Sequence, residues 1–584
     1  MKRTKKILCM CMAALLLAGC SAPAETSSKA DGSSSSQASS QAVSSQAGEE
    51  PDPWAEAAAD PWAAYPEQVV YTVGKQAPDA SYSVLDGTEY EGDDEANNIR
   101  TRFYEKHLNA KMEVAFSAAA GEAYDQQVSM AIVSGEIPDI MMVTDRATLV
   151  QLAENDLIAD LTEVYDATIS DVTRDIYESY DNRPLKDATI DGKLMAIPGT
   201  CIDTGAEMLW LRQDWMDKLS LSAPKTMEDV EKILDAFVNQ DPDGNGQNDT
   251  VGLALSNSIY GKYGSTVLYA NNVFTACGAV PGQWYEKDGE VVYGSVQPEM
   301  KEGLKVLADW YAKGLIDPQM AVRNFDDSTA LLVNGQCGAA FGPWWLANYA
   351  GQTHLVDANA RWTPYVVPTG EDGKVTMFTN NPSENYLVVR KDFEHPELLV
   401  KMLNYTYDYT RFSEHKNDEE CLEFEAPYDS AIHLRSLGPI SVNLDYFDAI
   451  NRAYDDITAY QAGEEVDTFP WVIQSAELAG AAMEKLESGQ VADIGIYEMI
   501  SYYGRCLAGE VLKENPVNVV YPVFFGVTAS MQTKWESLSK LESETMLKII
   551  TGEQPLEHFD EFVSTWKSAG GDAITQEVVE SIGE

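Results

Sequence analysis

The chain has 584 residues and a formal net charge of −52, from 93 Asp and Glu against 41 Lys and Arg. That length exceeds one compact domain, and 45% hydrophobic with 10% aromatic residues excludes wholesale disorder. The acid excess excludes nucleic acid or an anionic membrane surface as the main partner, because both repel it, and leaves neutral solutes or a small cation compatible.

The first predicted element is a targeting segment. Lys2, Arg3, Lys5 and Lys6 precede an apolar run from Ile7 to Leu17, too short to remain as a membrane span. The run ends in Leu17-Ala18-Gly19-Cys20, which looks like a lipobox, so residues 1–19 are expected to be a signal peptide and Cys20 the lipidated first residue. Residues 20–67 are rich in Ser, Ala, Gln and acid with no periodic apolar face, and read as a flexible tether. Two Asp-Pro-Trp copies, at 52–54 and 60–62, are taken as an incidental repeat within it. The expected location is the outer face of a cell membrane, held by lipid.

The body then alternates strand and helix. Val69 to Val73 reads as a strand, Asn97 to His107 as a helix, and Met112 to Phe116 as a second strand. A helix around Tyr124 to Val133 closes at Gly135, and Asp139 to Val143 is a short apolar run typical of a doubly buried strand. This order predicts an α/β fold with a mostly parallel sheet covered by helices. Thr226 with Asp229 reads as a capping pair before a face of Met227, Val230, Ile233, Leu234 and Phe237. A second such helix runs from Pro298 to Lys313, stopped by Gly314, and Leu547, Ile550, Phe559, Phe562 and Trp566 suggest two helices near the end. Cys201, Cys277, Cys337, Cys421 and Cys506 form no Cys-x-x-Cys pair, and the six histidines are scattered, so neither a disulfide framework nor a catalytic transition metal is signalled.

Asp241, Asp243, Asn245 and Asp249 place oxygens at loop positions one, three, five and nine, with Gln247 offering a backbone carbonyl at seven and Gly246 permitting the turn at six. This spacing suits a hard cation and predicts a structural calcium ion. Position twelve is Gly252, so the usual closing Glu is missing and another carboxylate or the region of Thr250 must complete the shell. Gly135-Glu136-Ile137-Pro138-Asp139-Ile140, Asp191-Gly192-Lys193-Leu194-Met195-Ala196-Ile197-Pro198 and Trp210-Leu211-Arg212-Gln213-Asp214-Trp215 occur in order around this loop, followed by Gly335-Gln336-Cys337-Gly338 and Gly342-Pro343-Trp344-Trp345. As an ordered set behind a lipobox, these segments resemble the family 1 extracellular solute-binding proteins of ABC importers, in their large lipoprotein branch.

The resemblance implies a two-lobed binding-protein fold of type II, with an oligosaccharide as the ligand class and a membrane permease as the recipient. A sugar cleft needs aromatic platforms and planar polar groups. Trp344 is the first candidate, because its Gly-Pro-Trp resembles a sugar-stacking stretch of maltose-binding relatives, and Trp345 is its alternate. Trp284, Tyr386 and Trp471 are further candidates from loop-like or crossing contexts. Arg212 either pairs locally with Asp214 or reaches the cleft, and Asp145 follows a strand end where open sheets place ligand groups. Lobe 1 is expected over 68–207 and 386–517, and lobe 2 over 208–385 and 518–584, with crossings near 205–209, 383–386 and 518–523. The protein is read as a monomer and not an enzyme; no Gly-x-Ser-x-Gly, Walker or dinucleotide motif is present. An adhesin or sensor lipoprotein of the same fold, or a glycoside hydrolase, are the alternatives.

Overall fold

In the computed structural model, residues 52–583 are described apart from 79–80, 89, 202–206, 262–265, 368–374, 382, 384, 426–435 and 516. The signal segment, Cys20 and the Ser-rich part of the tether lie outside the described residues.

Two sheets organise the body. In the first, the strands Val69–Gln76, Ala110–Ala118 and Ile140–Val143 run parallel, with Val69–Gln76 between the other two. Tyr386–Val389 adds antiparallel to Ile140–Val143, and the short Ile197–Pro198 closes the row. Every residue of Ile140–Val143 is buried, as its unbroken apolar run predicts for an interior strand. The connecting helix Ile99–Leu108 starts where Asn98 accepts backbone N–H groups of Arg100 and Thr101 while Thr101 Oγ1 accepts from Asn98 N. Glu122–Ser134 stops at Gly135, whose φ of 71° closes the last turn.

The second sheet has the order Trp362–Tyr365, Met208–Arg212, Cys337–Gly342, Val251–Ala254. Met208–Arg212 runs antiparallel to both its neighbours, and Cys337–Gly342 parallel to Val251–Ala254. All five residues of Met208–Arg212 are buried because helices cover both faces. Leu209 and Leu211 enter one core with Val230, Leu234, Phe237 and the C-terminal Phe559, Phe562 and Trp566. Met208 and Trp210 enter the other, with Ile450, Ala482, Met499 and Tyr503. The strand's period of two is thus divided between two cores.

The expected lobe boundaries need correction in the C-terminal half. Residues from Tyr386 to Leu444 pack in the core of the first sheet, but from Ile450 to Leu512 the chain contributes to a core of the second. The passage falls at 445–449 rather than at 518–523. There Thr200 N donates to Asn443 O at 2.7 Å and Asp445 N to Thr200 Oγ1 at 3.1 Å, so this crossing lies beside the earlier one leaving Ile197–Pro198. A Cβ on Gly199 would approach Asn443 O to 3.1 Å, which is why a residue without one stands at the contact. Val517–Val520 instead pairs in parallel with Val375–Phe378 as a two-stranded ribbon.

The tether reading also changes. From Asp52 onward the segment is folded onto the first lobe, and the Asp-Pro-Trp copies are the reason. Asp52 caps the helix Pro53–Ala59, accepting from Trp54 N at 3.1 Å, and Asp60 accepts from Trp62 N at 2.8 Å. The Trp54 ring stacks on His395 at 5.0 Å, and Trp62 meets Tyr405 edge-on at 5.2 Å. Between them the Lys401 ammonium donates to Ala57 O at 2.6 Å, and burial lowers its pKa to about 8. A repeat that reads as low complexity is therefore a pair of aromatic anchors. Among the described residues no helix is long and apolar enough to cross a membrane.

Candidate functional site: an arginine between two tryptophans at the lobe boundary

The crossing at 445–449 borders a cavity of about 660 Å³ between the two halves. The first half lines it with Arg411, Phe412, Glu425, Asn443 and Asp445, and the second with Trp344, Phe469, Trp471 and Arg505.

Trp344 is positioned by the strand before it. Cys337–Gly342 is wholly buried, and Trp210 Nε1 donates to Gly342 O at 3.1 Å. Pro343 then turns the chain into the short 3₁₀ turn Trp344–Leu346, leaving the Trp344 ring half-buried at the cavity wall. Trp471 stands in the first turn of the helix Pro470–Glu487 and is 44% exposed. Arg505 comes from a π-helical turn, Tyr502–Leu507, inserted between the helices Ile496–Ser501 and Ala508–Glu514. A Cβ on Gly504 would lie 3.1 Å from Ala347 Cβ, so a small residue lets this turn approach the Trp344 turn. The Arg505 guanidinium then sits 4.2 Å from the Trp344 ring centroid and 4.3 Å from that of Trp471. Burial lowers the Arg505 pKa to about 10, opposed by Asp445, so it stays cationic at neutral pH.

The other charges at the cavity are mostly committed. Arg411 donates to both oxygens of Glu425, at 3.1 and 3.3 Å, and lies over Tyr407 and Phe469. Burial pushes the Glu425 pKa up, but Arg411 and Arg100 outweigh it and hold the carboxyl below its usual range. Arg452 pairs with Asp448 at 2.6 Å and stacks over Tyr446 at 4.0 Å. Asp455 pairs with Lys513 at 2.6 Å, and Asp467 with Lys416. The Asp445 carboxylate accepts the backbone N–H of Tyr446 at 2.8 Å, and burial raises its pKa. Aromatic faces, planar donors and acceptors in one cavity are what a hydroxylated ring needs.

Of the seven residues singled out for ligand contact, the structure brings Trp344 and Trp471 together here. Trp345 packs against the second-sheet core beside Trp344 and does not line the cavity. Trp284 is a core residue, 4% exposed and 4.9 Å from the Tyr293 ring, edging a separate cavity of about 300 Å³. Tyr386 is buried in its sheet with its hydroxyl donated to Asp187, and burial raises its pKa far above the usual range. Arg212 is 1% exposed and donates to Asp214 at 2.9 and 2.7 Å and to Asp357 at 2.9 Å, resting over Trp215. Asp145 caps the helix Arg146–Glu154, accepting from Thr148 N at 2.8 Å. These last four residues build the scaffold. Arg505, Arg411 and Asp445 escaped sequence reasoning. Arg505 did leave one signal: it is the lone charge in the run from Met499 to Gly509.

The acidic loop is a separate feature. Asp241 accepts the backbone N–H groups of Gly244 at 3.0 Å and Gly246 at 3.1 Å, both glycines having φ near +80°. Asn245 Nδ2 donates to Asp243 at 2.8 Å and Asp249 at 3.0 Å, drawing the side chains of positions three, five and nine together. Gln247 N donates to Asn245 Oδ1 at 2.7 Å. Of the two expectations for closing the shell, the Thr250 hydroxyl does not serve, and the other carboxylate is left. A Cβ at Gly252 would lie 2.4 Å from Leu315 O, so no side chain fits position twelve, and Thr250 Oγ1 is turned to Phe237 O at 2.7 Å.

With this geometry in hand, the likeness to known proteins is specific. The family model for bacterial extracellular solute-binding proteins matches residues 86–408, more than half of the chain. The polygalacturonan/rhamnogalacturonan-binding protein YtcQ of Bacillus subtilis is 21% identical over 82% of this chain and 86% of its own. The solved extracellular solute-binding protein of Bifidobacterium longum subsp. infantis is 17% identical and covers 88% of this chain and 98% of its own, with a TM-score of 0.59. The S. pneumoniae substrate-binding protein FusA, solved with kestose, is 16% identical over 88% and 99%, with a TM-score of 0.54. The two-sheet body is therefore the two-lobed fold of these binding proteins, and the chain belongs to the bacterial extracellular solute-binding protein family.

Proposed function

We propose that the protein captures an oligosaccharide in the cavity lined by Trp344, Trp471 and Arg505 and hands it intact to an ABC importer permease. The observation that carries this reading is the pair of tryptophan faces, contributed by separate elements, on either side of one guanidinium at the lobe boundary. Relatives named for polygalacturonan and fructooligosaccharide support the ligand class. Two lobes joined by neighbouring crossings bind by population shift: a ligand that touches both halves only when they are closed stabilises the closed form. Cys20, carrying lipid, anchors the body outside the membrane, and the acidic body stays clear of anionic headgroups. Calorimetry against a panel of oligosaccharides tests the reading. Binding of at least one of them, recovered unhydrolysed, is expected; hydrolysis, or no binding across the panel, contradicts it.

A structural calcium ion at Asp241, Asp243, Asn245, Gln247 and Asp249 belongs to the same proposal. The loop spacing supports a hard cation, which requires Asn245 to turn its carbonyl oxygen inward in place of its amide nitrogen and water to supply what Gly252 does not. Calcium is expected to raise the thermal transition of the wild type by several degrees and to leave Asp243→Ala unmoved. Equal responses, or none in the wild type, would remove the site.

A further inference from the structure

The charged groups around the cavity are unevenly occupied. Arg411 and Arg452 are each held by a carboxylate, and Asp455 and Asp467 by lysines. Arg505 alone of the arginines has no hydrogen-bonding or ion-pairing partner among the described residues; aromatic faces hold it on both sides. A guanidinium stacked on its faces keeps its N–H edge free, and that edge is a planar fork matched to a carboxylate. Asp445, whose charge opposes the effect of burial on Arg505, forms no ion pair with it among the described residues. A cation placed this way on a chain of net charge −52 is where an anionic ring can be received against the general repulsion.

We infer that Arg505 is a specificity-determining residue and that the ligand is an acidic oligosaccharide, one uronate carboxylate of which takes the Arg505 N–H edge. The inference rests on the oligosaccharide reading above and narrows it. A bidentate charge-assisted pair forms at this position, the sugar ring takes the Trp344 or Trp471 face beside it, and a neutral sugar of the same shape leaves the guanidinium without its partner. The competing outcome is a neutral ligand, with Asp445 meeting Arg505 as the lobes close.

The test is calorimetry of the full mature chain with trigalacturonate and with its methyl ester, which keeps the length and shape and removes the charge. The wild type is expected to prefer the acid by about tenfold or more. Arg505→Gln should abolish that preference, the acid and the ester then binding with equal affinity. Arg505→Lys, which keeps the charge and loses the fork, should retain only part of the preference. Thermal transitions near that of the wild type confirm that the variants fold. Equal affinity for acid and ester, or a preference surviving in Arg505→Gln, overturns the inference. Binding of neutral oligosaccharides alone also overturns it while leaving the oligosaccharide reading standing, and binding of no oligosaccharide overturns both.

Discussion

Trp344→Ala is expected to weaken oligosaccharide binding by about 30-fold, about 2 kcal/mol, with Trp471→Ala close behind. Each ring is a wall of the cavity and a face against which a sugar's C–H surface desolvates, so truncation removes contact area and admits water. The two variants should differ in stability. Trp344 is half-buried against the second-sheet core, so its removal costs about 1–2 kcal/mol of folding free energy, whereas the more exposed Trp471 costs less. Arg505 loses one of its two aromatic faces in either variant. Calorimetry with a bound oligosaccharide and a thermal melt separate the two effects. Unchanged affinity in both variants would place the ligand elsewhere.

Arg212→Met should do the opposite, lowering stability by about 3 kcal/mol and leaving ligand affinity within about twofold of the wild type. The guanidinium is buried and satisfies Asp214 and Asp357 together, and Met leaves both carboxylates without their cation. Asp214 keeps one donor, the backbone N–H of Arg361 at 3.0 Å, which moderates the loss. The stacking of Arg212 over Trp215 disappears as well. A urea transition reads the first quantity and calorimetry the second. A variant of normal stability with weakened binding would return Arg212 to the cleft.

Local chemistry made much of the fold legible. The strand at 140–143, the Gly135 stop and the Thr226 cap with its face of Val230, Ile233, Leu234 and Phe237 follow from apolar period, αL closure and side-chain capping, all of which act over a few residues. The route of the chain between the lobes was not legible. A passage at 445–449 depends on Thr200 meeting Asn443 and Asp445, a contact spanning more than two hundred positions with no motif at either end. The Asp-Pro-Trp repeat was visible, but its meaning needed His395 and Tyr405, which are equally remote.

The site divides along the same line. Trp344 was found through a resemblance of its segment to known sugar-stacking stretches, and Trp471 lies with it. Trp284, Tyr386, Arg212 and Asp145 are residue types common at binding sites, and each is consumed by the scaffold here: a core contact, a buried hydroxyl bond, a buried ion pair and a helix cap. Residue type alone does not separate a group that faces a cavity from one that holds a lobe together. Arg505 needed the opposite insight, that a single charge in an otherwise uncharged helical stretch is expensive to bury without a purpose.

Small-angle scattering of the body from Asp52 onward, with and without a bound oligosaccharide, tests the central claim most directly. The account predicts that the ligand contracts the wild type as the lobes close, and that Trp344→Ala combined with Trp471→Ala shows no contraction at the same ligand concentration. An oligosaccharide that binds tightly to the wild type without contracting it would contradict closure on a ligand held between the lobes.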